Sequence, residues 1–196
     1  MIYSALKQSA GEGDGTIKKL FLIRHAKSSW KDGSLKDFER GLSKRGHKDI
    51  EMIGSYLRLK RVRPDLILSS AALRAQLTAD LLGEKIGYEG SYRYLDELYL
   101  TPPEMLLNVL SLQEPEVESL FLIGHNPALS ELANILQPEN FTKFPTLGVL
   151  ALDLEIDSWE EIQEGCPGRI DYFIHPKQFR YYLPGQIRAT LDRRER

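Results

Sequence analysis

Leu20-Phe21-Leu22-Ile23-Arg24-His25 returns one hundred positions later as Leu120-Phe121-Leu122-Ile123-Gly124-His125, with five of six residues identical and a histidine closing each copy. Each copy holds four consecutive apolar residues. That run is short for a buried helix and fits a strand covered on both faces of a parallel sheet. In such sheets ligands bind in the crevice beyond the carboxyl ends of the strands. Two histidines distant in the chain are therefore expected to face one ligand. A strand-end histidine can also do no more than cap its strand, so the residues that follow each one decide between the two readings.

Working outward, residues 26 to 42 lack periodicity and read as a long surface loop, the kind of segment that carries binding groups. Ser43 opens a helix to about Leu59, with Ile50, Ile53, Tyr56 and Leu57 near one face and His47 among solvated lysines and arginines. After Pro64, Asp65 to Leu68 reads as a strand, with Ser69 and Ser70 as candidate N-caps of a helix over Ala71 to Glu84. Leu73, Leu77 and Leu81 form its expected core stripe, and Arg74 lies off that stripe in the first turn, where an anion is favoured. Ser91 to Leu95 is a third strand leading into Asp96-Glu97. Thr101-Pro102-Pro103-Glu104 predicts a helix start with a threonine cap, running to about Leu112. Asn126-Pro127 repeats the cap pattern after the second histidine strand for a helix through Leu136. Residues 146 to 155 and 169 to 175 read as two more strands, antiparallel at an edge. The alternation predicts an α/β domain, a three-layer α/β/α sandwich with a mostly parallel sheet.

With 196 residues, one domain is expected, ordered from about residue 18 to 196, after a glycine-containing leader over residues 1 to 17 and ending in a basic tail. A net charge of −2 argues against nucleic acid as partner, and no apolar run is long enough for a membrane-spanning helix. The single cysteine, Cys166, sits in a Gly-Cys-Pro-Gly turn and excludes an internal disulfide. The first residues lack a secretory signal, so the cytoplasm is the expected location. The four histidines show no metal-ligand spacing, and neither a metal nor another cofactor is implied.

Arg24, His25, Arg74, His125 and the Asp96-Glu97 pair are the groups gathered at strand ends and helix starts. They suit a phosphoryl group. Two guanidiniums bind its oxygens in forked hydrogen bonds, and a protonated histidine adds a charged donor. A neutral imidazole can attack phosphorus and form a phosphohistidine, while a carboxylic acid protonates the leaving group. Fixed cations can stabilise the transition state without a metal. Which histidine attacks stays open on these grounds.

The stretch Ile23-Arg24-His25-Ala26 resembles the Arg-His-Gly signature of the histidine phosphatase superfamily, which includes phosphoglycerate mutases and many phosphatases. Residues 69 to 79, from Ser69-Ser70 through Arg74 to Ala79, resemble its second arginine motif. Gly124-His125-Asn126-Pro127 resembles its second histidine motif. The likeness covers about residues 18 to 155 and implies a phosphoglycerate mutase-like fold. It implies His25 as the phosphorylated nucleophile, Arg24, Arg74 and His125 as the phosphate pocket, and Glu97, in competition with Asp96, as the general acid. Arg24-His25-Ala26-Lys27-Ser28-Ser29-Trp30, followed by Asp37-Phe38-Glu39-Arg40-Gly41-Leu42, looks like the SixA-type branch, associated with protein phosphohistidine phosphatases. Lys31 and Arg40 are implied as further substrate contacts. Ala26 stands for the usual glycine, Lys31 for an asparagine common in mutase-like members, and Gly41 for a frequent proline.

The expected function is thus a metal-independent phosphatase that works through a covalent phosphohistidine and acts on phosphorylated protein histidine. A small phosphorylated metabolite as substrate, and a phosphate-binding interaction module without turnover, are the competing readings.

Overall fold

The computed structural model describes residues 16–162 and 168–182. Most of the expected leader, Cys166 and the tail beyond residue 182 lie outside the described residues. The elements follow in the order β1 (Ile17–Arg24), α1 (Lys44–Leu59), β2 (Leu66–Ser70), α2 (Leu73–Ile86), β3 (Ser91–Leu95), α3 (Pro103–Ser111), β4 (Ser119–Gly124), α4 (Ala128–Leu136), β5 (Val149–Glu155), β6 (Gly168–Ile174) and α5 (Pro176–Tyr182). Short 3-10 turns stand at Asp37–Glu39, Asp96–Leu98 and Trp159–Glu161.

The strands form one sheet in the order β3-β2-β4-β1-β5-β6. The pairings β3-β2, β2-β4 and β4-β1 are parallel, and β5 and β6 close one side antiparallel. The echo in the sequence is a literal pairing: Leu20 lies opposite Leu120, Phe21 opposite Phe121, and so on to Arg24 opposite Gly124. Because side chains alternate across a pleat, each copy feeds both faces. Leu20, Leu22, Leu120 and Leu122 enter one core with Leu106 and Leu110 of α3, Leu129 and Leu132 of α4, and Trp159. Phe21, Ile23, Phe121 and Ile123 enter the other with Ile53 and Leu57 of α1 and Ala75, Ala79 and Leu82 of α2. All eight repeat side chains are at most 4 % exposed, and each contributes roughly 2 kcal/mol by leaving water. Helices on both faces give the three-layer sandwich that the alternation predicts.

Three local readings are corrected. The leucine stripe on α2 is not its core face: Leu73 is exposed and Leu77 and Leu81 are half-buried, while Arg74, Ala75, Thr78, Ala79 and Leu82 are buried. Small residues let α2 lie close to the sheet, and the leucines flank the contact. At α3 no side chain caps the helix, because Pro102 holds the N-cap position and Pro103 the first turn. At α4 the helix starts at Ala128, and the Asn126 amide donates instead to the Phe144 carbonyl at 3.1 Å. Ser43 does cap α1, accepting from the Gly46 amide at 3.1 Å. The same start packs so tightly on the loop that a Cβ at Gly46 would sit 2.5 Å from the Lys27 carbonyl oxygen. The 26–42 loop is pinned where Ser29 donates to the Gly41 carbonyl at 2.8 Å.

Candidate active site

The in-register pairing of β1 and β4 delivers His25 and His125 side by side at the carboxyl edge of the sheet. Their ring centroids are 4.9 Å apart, and both rings are buried. The backbone continues the ladder past the strands, with the His25 amide donating to the Gly124 carbonyl. Next to them Ala26 is fully buried, and its amide donates to Thr78 Oγ1 at 3.0 Å, which ties the segment that carries His25 to α2.

The hydrogen-bond partners assign both tautomers. His25 Nδ1 is 2.7 Å from the Ala26 carbonyl oxygen, which can only accept, so Nδ1 carries the proton. His25 Nε2 is then left with a lone pair, and it receives the Arg74 Nε–H at 3.4 Å. At His125 the arrangement is reversed. Arg74 can only donate, so Nδ1 at 3.3 Å from Nη2 is the acceptor, and Nε2–H donates to Ser70 Oγ at 2.9 Å. Ser70 belongs to β2, the strand beside β4, and also accepts from the Ala72 amide at the start of α2.

Arg24 ends β1 with Nη1 on the Phe144 carbonyl at 2.6 Å, while its buried Nε has no partner among the described residues. Arg74 enters from the first turn of α2. Besides both histidines it touches Asp37, through Nη1 to the carbonyl at 2.6 Å and Nη2 to the carboxylate at 2.9 Å. Tyr99 OH donates to the same carboxylate oxygen at 2.8 Å. These groups line a hollow of about 240 Å³ bounded by Arg24, His25, Lys27, Asp37, Arg74 and His125, with Trp30 and Leu100 at its rim.

Burial pushes the His25 pKa down to about 4. The Ala26 hydrogen bond opposes this and the charges of Arg74 and Arg24 reinforce it. Burial, then His25 and Arg74, push His125 down to about 3. Both imidazoles are therefore neutral near pH 7 in the free site, since burial first, and the neighbouring guanidinium charges second, disfavour a further cation there. Partial burial works to raise the Asp37 carboxyl, but the Tyr99 hydrogen bond and the Arg74 charge outweigh it and hold it below the usual range. Asp37 is thus ionised.

Of the residues read from the sequence, Arg24, His25, Arg74 and His125 come together. Asp96 and Glu97 are exposed on the 3-10 turn Asp96–Leu98 and do not line the hollow. Lys31 is exposed outside the lining. Arg40 also lies outside it, with its guanidinium 3.7 Å from the Trp30 ring centre and directed at the Leu35 carbonyl. Asp37, Tyr99, Ser70 and Trp30 were not read as site residues. Asp37 stood inside the quoted Asp-Phe-Glu-Arg stretch, but its pairing with α2 depends on the path of an aperiodic loop. Among the described residues, no group of three His, Cys, Asp or Glu side chains is arranged to hold a metal ion. No helix among them is long and apolar enough to cross a membrane.

Comparison with known proteins adds to this geometry. The family profile described as Histidine phosphatase superfamily (branch 1) matches residues 20–99. The crystal structure of the Agrobacterium tumefaciens protein provisionally assigned as the phosphohistidine phosphatase SixA is similar, with 31% identity and a TM-score of 0.70. The match covers 81% of this chain and 98% of that one. The protein histidine phosphatase SixA complexed with tungstate has the same fold, with a TM-score of 0.71 at 22% identity, over 82% of this chain and 99% of that one. An uncharacterized chloroplastic protein of Arabidopsis thaliana is 32% identical over 162 residues, 78% of this chain and 74% of the relative. The chain belongs to the histidine phosphatase superfamily, in its SixA-type branch, and is a phosphatase-class hydrolase.

Proposed function

We propose that the protein hydrolyses phosphohistidine on other proteins, without a metal, through a phosphohistidine formed on its own His25. The observation that carries this reading is the His25 ring itself. It is neutral, its Nδ1–H is held by the Ala26 carbonyl, and its Nε2 lone pair faces a hollow between two guanidiniums. In the proposed course, Arg24 and Arg74 hold the phosphoryl oxygens while Nε2 forms a bond to phosphorus and the bond to the leaving group breaks in line. Water then attacks phosphorus, the P–Nε2 bond breaks, and inorganic phosphate leaves. A bound dianion favours a proton on His125, which then donates to a phosphoryl oxygen. The fixed arginine charges take the part that a metal plays elsewhere.

Two features favour a phosphohistidine-bearing protein as substrate. The carboxylate that lines the hollow, Asp37, is held ionised by Arg74 and Tyr99, and is a poor proton donor to a leaving group. An alkoxide needs such a proton, whereas an imidazole is a good leaving group once its other nitrogen is protonated. At the rim, Trp30 is 65% and Leu100 71% exposed, large apolar side chains suited to a protein surface.

The test compares turnover of a phosphohistidine-bearing protein with phosphoserine, phosphothreonine and a panel of sugar phosphates, each with and without thorough chelation. Higher catalytic efficiency on the phosphohistidine protein, unaffected by chelator, is expected. A sugar phosphate preferred by a wide margin would make the protein a small-molecule phosphomonoesterase. Phosphate binding without turnover would make it an interaction module. Loss of activity in chelator, restored by a divalent ion, would overturn the metal-independent course.

A further inference from the structure

A second cavity, of about 370 Å³, adjoins the nucleophile hollow and is bounded by Leu98, Leu100, Pro102, Leu106, Ala128 and Glu131. The two share Leu100, His125 and Asn126, but only the first is lined by His25. In-line displacement puts the departing group on the side of phosphorus away from the attacking Nε2. The second cavity, which shares His125 with the first hollow but is not lined by His25, is the space available for a substituent on that side. We infer that this cavity is the leaving-group subsite, and that it takes an uncharged or cationic ring and refuses a second anion. The inference rests on the phosphatase reading above and adds the chemistry of what the phosphoryl group is attached to.

The walls argue for the ring. Leu98, Leu100, Pro102, Leu106 and Ala128 make most of the wall hydrocarbon, which leaves most hydroxyls of a polyol unsatisfied, while Thr101, His125 and Asn126 offer the few polar contacts that a ring heteroatom needs. The acidic side chain among the lining residues is Glu131, exposed in the first turn of α4, and no lysine or arginine among the described residues lines the cavity. A carboxylate or second phosphate on the leaving group therefore meets a like charge with no cation to offset it. Leu100 stands on the saddle between the two hollows. Its φ of 49° is a conformation uncommon for leucine, and it is left 71% exposed, so neither local geometry nor packing against the described residues accounts for it. Contact with a bound ring does.

Two aryl esters test this on the full chain: phenyl phosphate and 4-carboxyphenyl phosphate. The carboxyphenolate is the better leaving group, so chemistry alone favours the second ester. Wild-type protein is expected to prefer phenyl phosphate by about tenfold in kcat/KM, and Glu131→Lys to remove or reverse that preference. Leu100→Ala is expected to lower kcat/KM for phenyl phosphate about fivefold and to weaken inhibition by inorganic phosphate distinctly less, since Leu100 stands only at the rim of the first hollow but between it and the second cavity. An ester preference unchanged by Glu131→Lys would overturn the subsite. So would a Leu100→Ala loss matched by an equal loss of phosphate inhibition, which would report damage to the first hollow. Turnover of a phosphohistidine-bearing protein but of neither ester would overturn the subsite and leave the phosphatase reading standing, whereas turnover of none of the three, with phosphate still bound, would sink both.

Discussion

The Asp37 carboxylate sits 2.9 Å from the Arg74 guanidinium, on the cation that faces both histidines. The carboxylate is 47% exposed, so the pair is screened and modest in strength, and an incoming phosphoryl group competes with it for Arg74. Asp37→Asn is expected to tighten inhibition by inorganic phosphate by about two- to fivefold, on the scale of a half-exposed ion pair. Weaker phosphate inhibition would show that Asp37 matters more for aiming Arg74 than for occupying it.

The buried histidines set a pH response of definite sign. Their pKa values in the folded chain, about 4 and about 3, lie below the ordinary 6.5. The unfolded chain therefore binds more protons in this range. Stability that these groups contribute is complete above pH 6.5 and falls away as pH drops toward 4 and 3. In the free protein, the ring C–H resonances of both residues should keep their neutral positions down to about pH 5. Saturating inorganic phosphate, which adds negative charge beside both rings, is expected to raise both midpoints. A free-protein midpoint near the ordinary value for either ring would contradict the electrostatic account.

Ser70 is fully buried and accepts the His125 Nε2–H, so Ser70→Ala leaves a buried donor without a partner. A loss of roughly 1–3 kcal/mol of stability is expected, measured by denaturant unfolding. Turnover should also fall, because the ring that donates to the phosphoryl oxygen loses the contact that fixes its orientation. Unchanged stability and turnover would mean that the Ser70 contact does not hold the ring.

Glu97 can reach a leaving group only from the rim, since it is exposed and outside the lining of the hollow. Glu97→Gln is expected to leave phosphohistidine turnover within about twofold and to slow an alkyl phosphate more strongly, because only the alkoxide needs full protonation. Equal slowing of both would point to a positioning role.

The two histidine strands were legible because the apolar runs between polar flanks have the length of strands and because the pair repeats one register. Arg24 and His25, Arg74 and His125 were legible for a related reason: each closely follows a short apolar run or stands near a serine or asparagine-proline that marks a helix start. Asp37, Tyr99 and Trp30 were not, since their contacts are made by loops whose course depends on tertiary packing. Ser70 was read as a helix cap from its local neighbours, yet its partner His125 comes from the adjacent strand. The leucines of α2 were read as core because they are large and evenly spaced. The helix instead turns Ala75 and Ala79 inward, where close approach to the sheet favours small side chains.

Nucleophilic attack by His25 Nε2 is tested by trapping the phosphorylated intermediate. The protein is mixed rapidly with a labelled phosphoryl donor, quenched in base, which preserves phosphoramidates, and the modified residue and ring nitrogen are identified by mass spectrometry and phosphorus NMR. Label on Nε2 of His25, absent from His25→Ala along with turnover, is the expected result. Label on His125 or on Nδ1 of His25, or near-normal turnover by His25→Ala, would contradict the account.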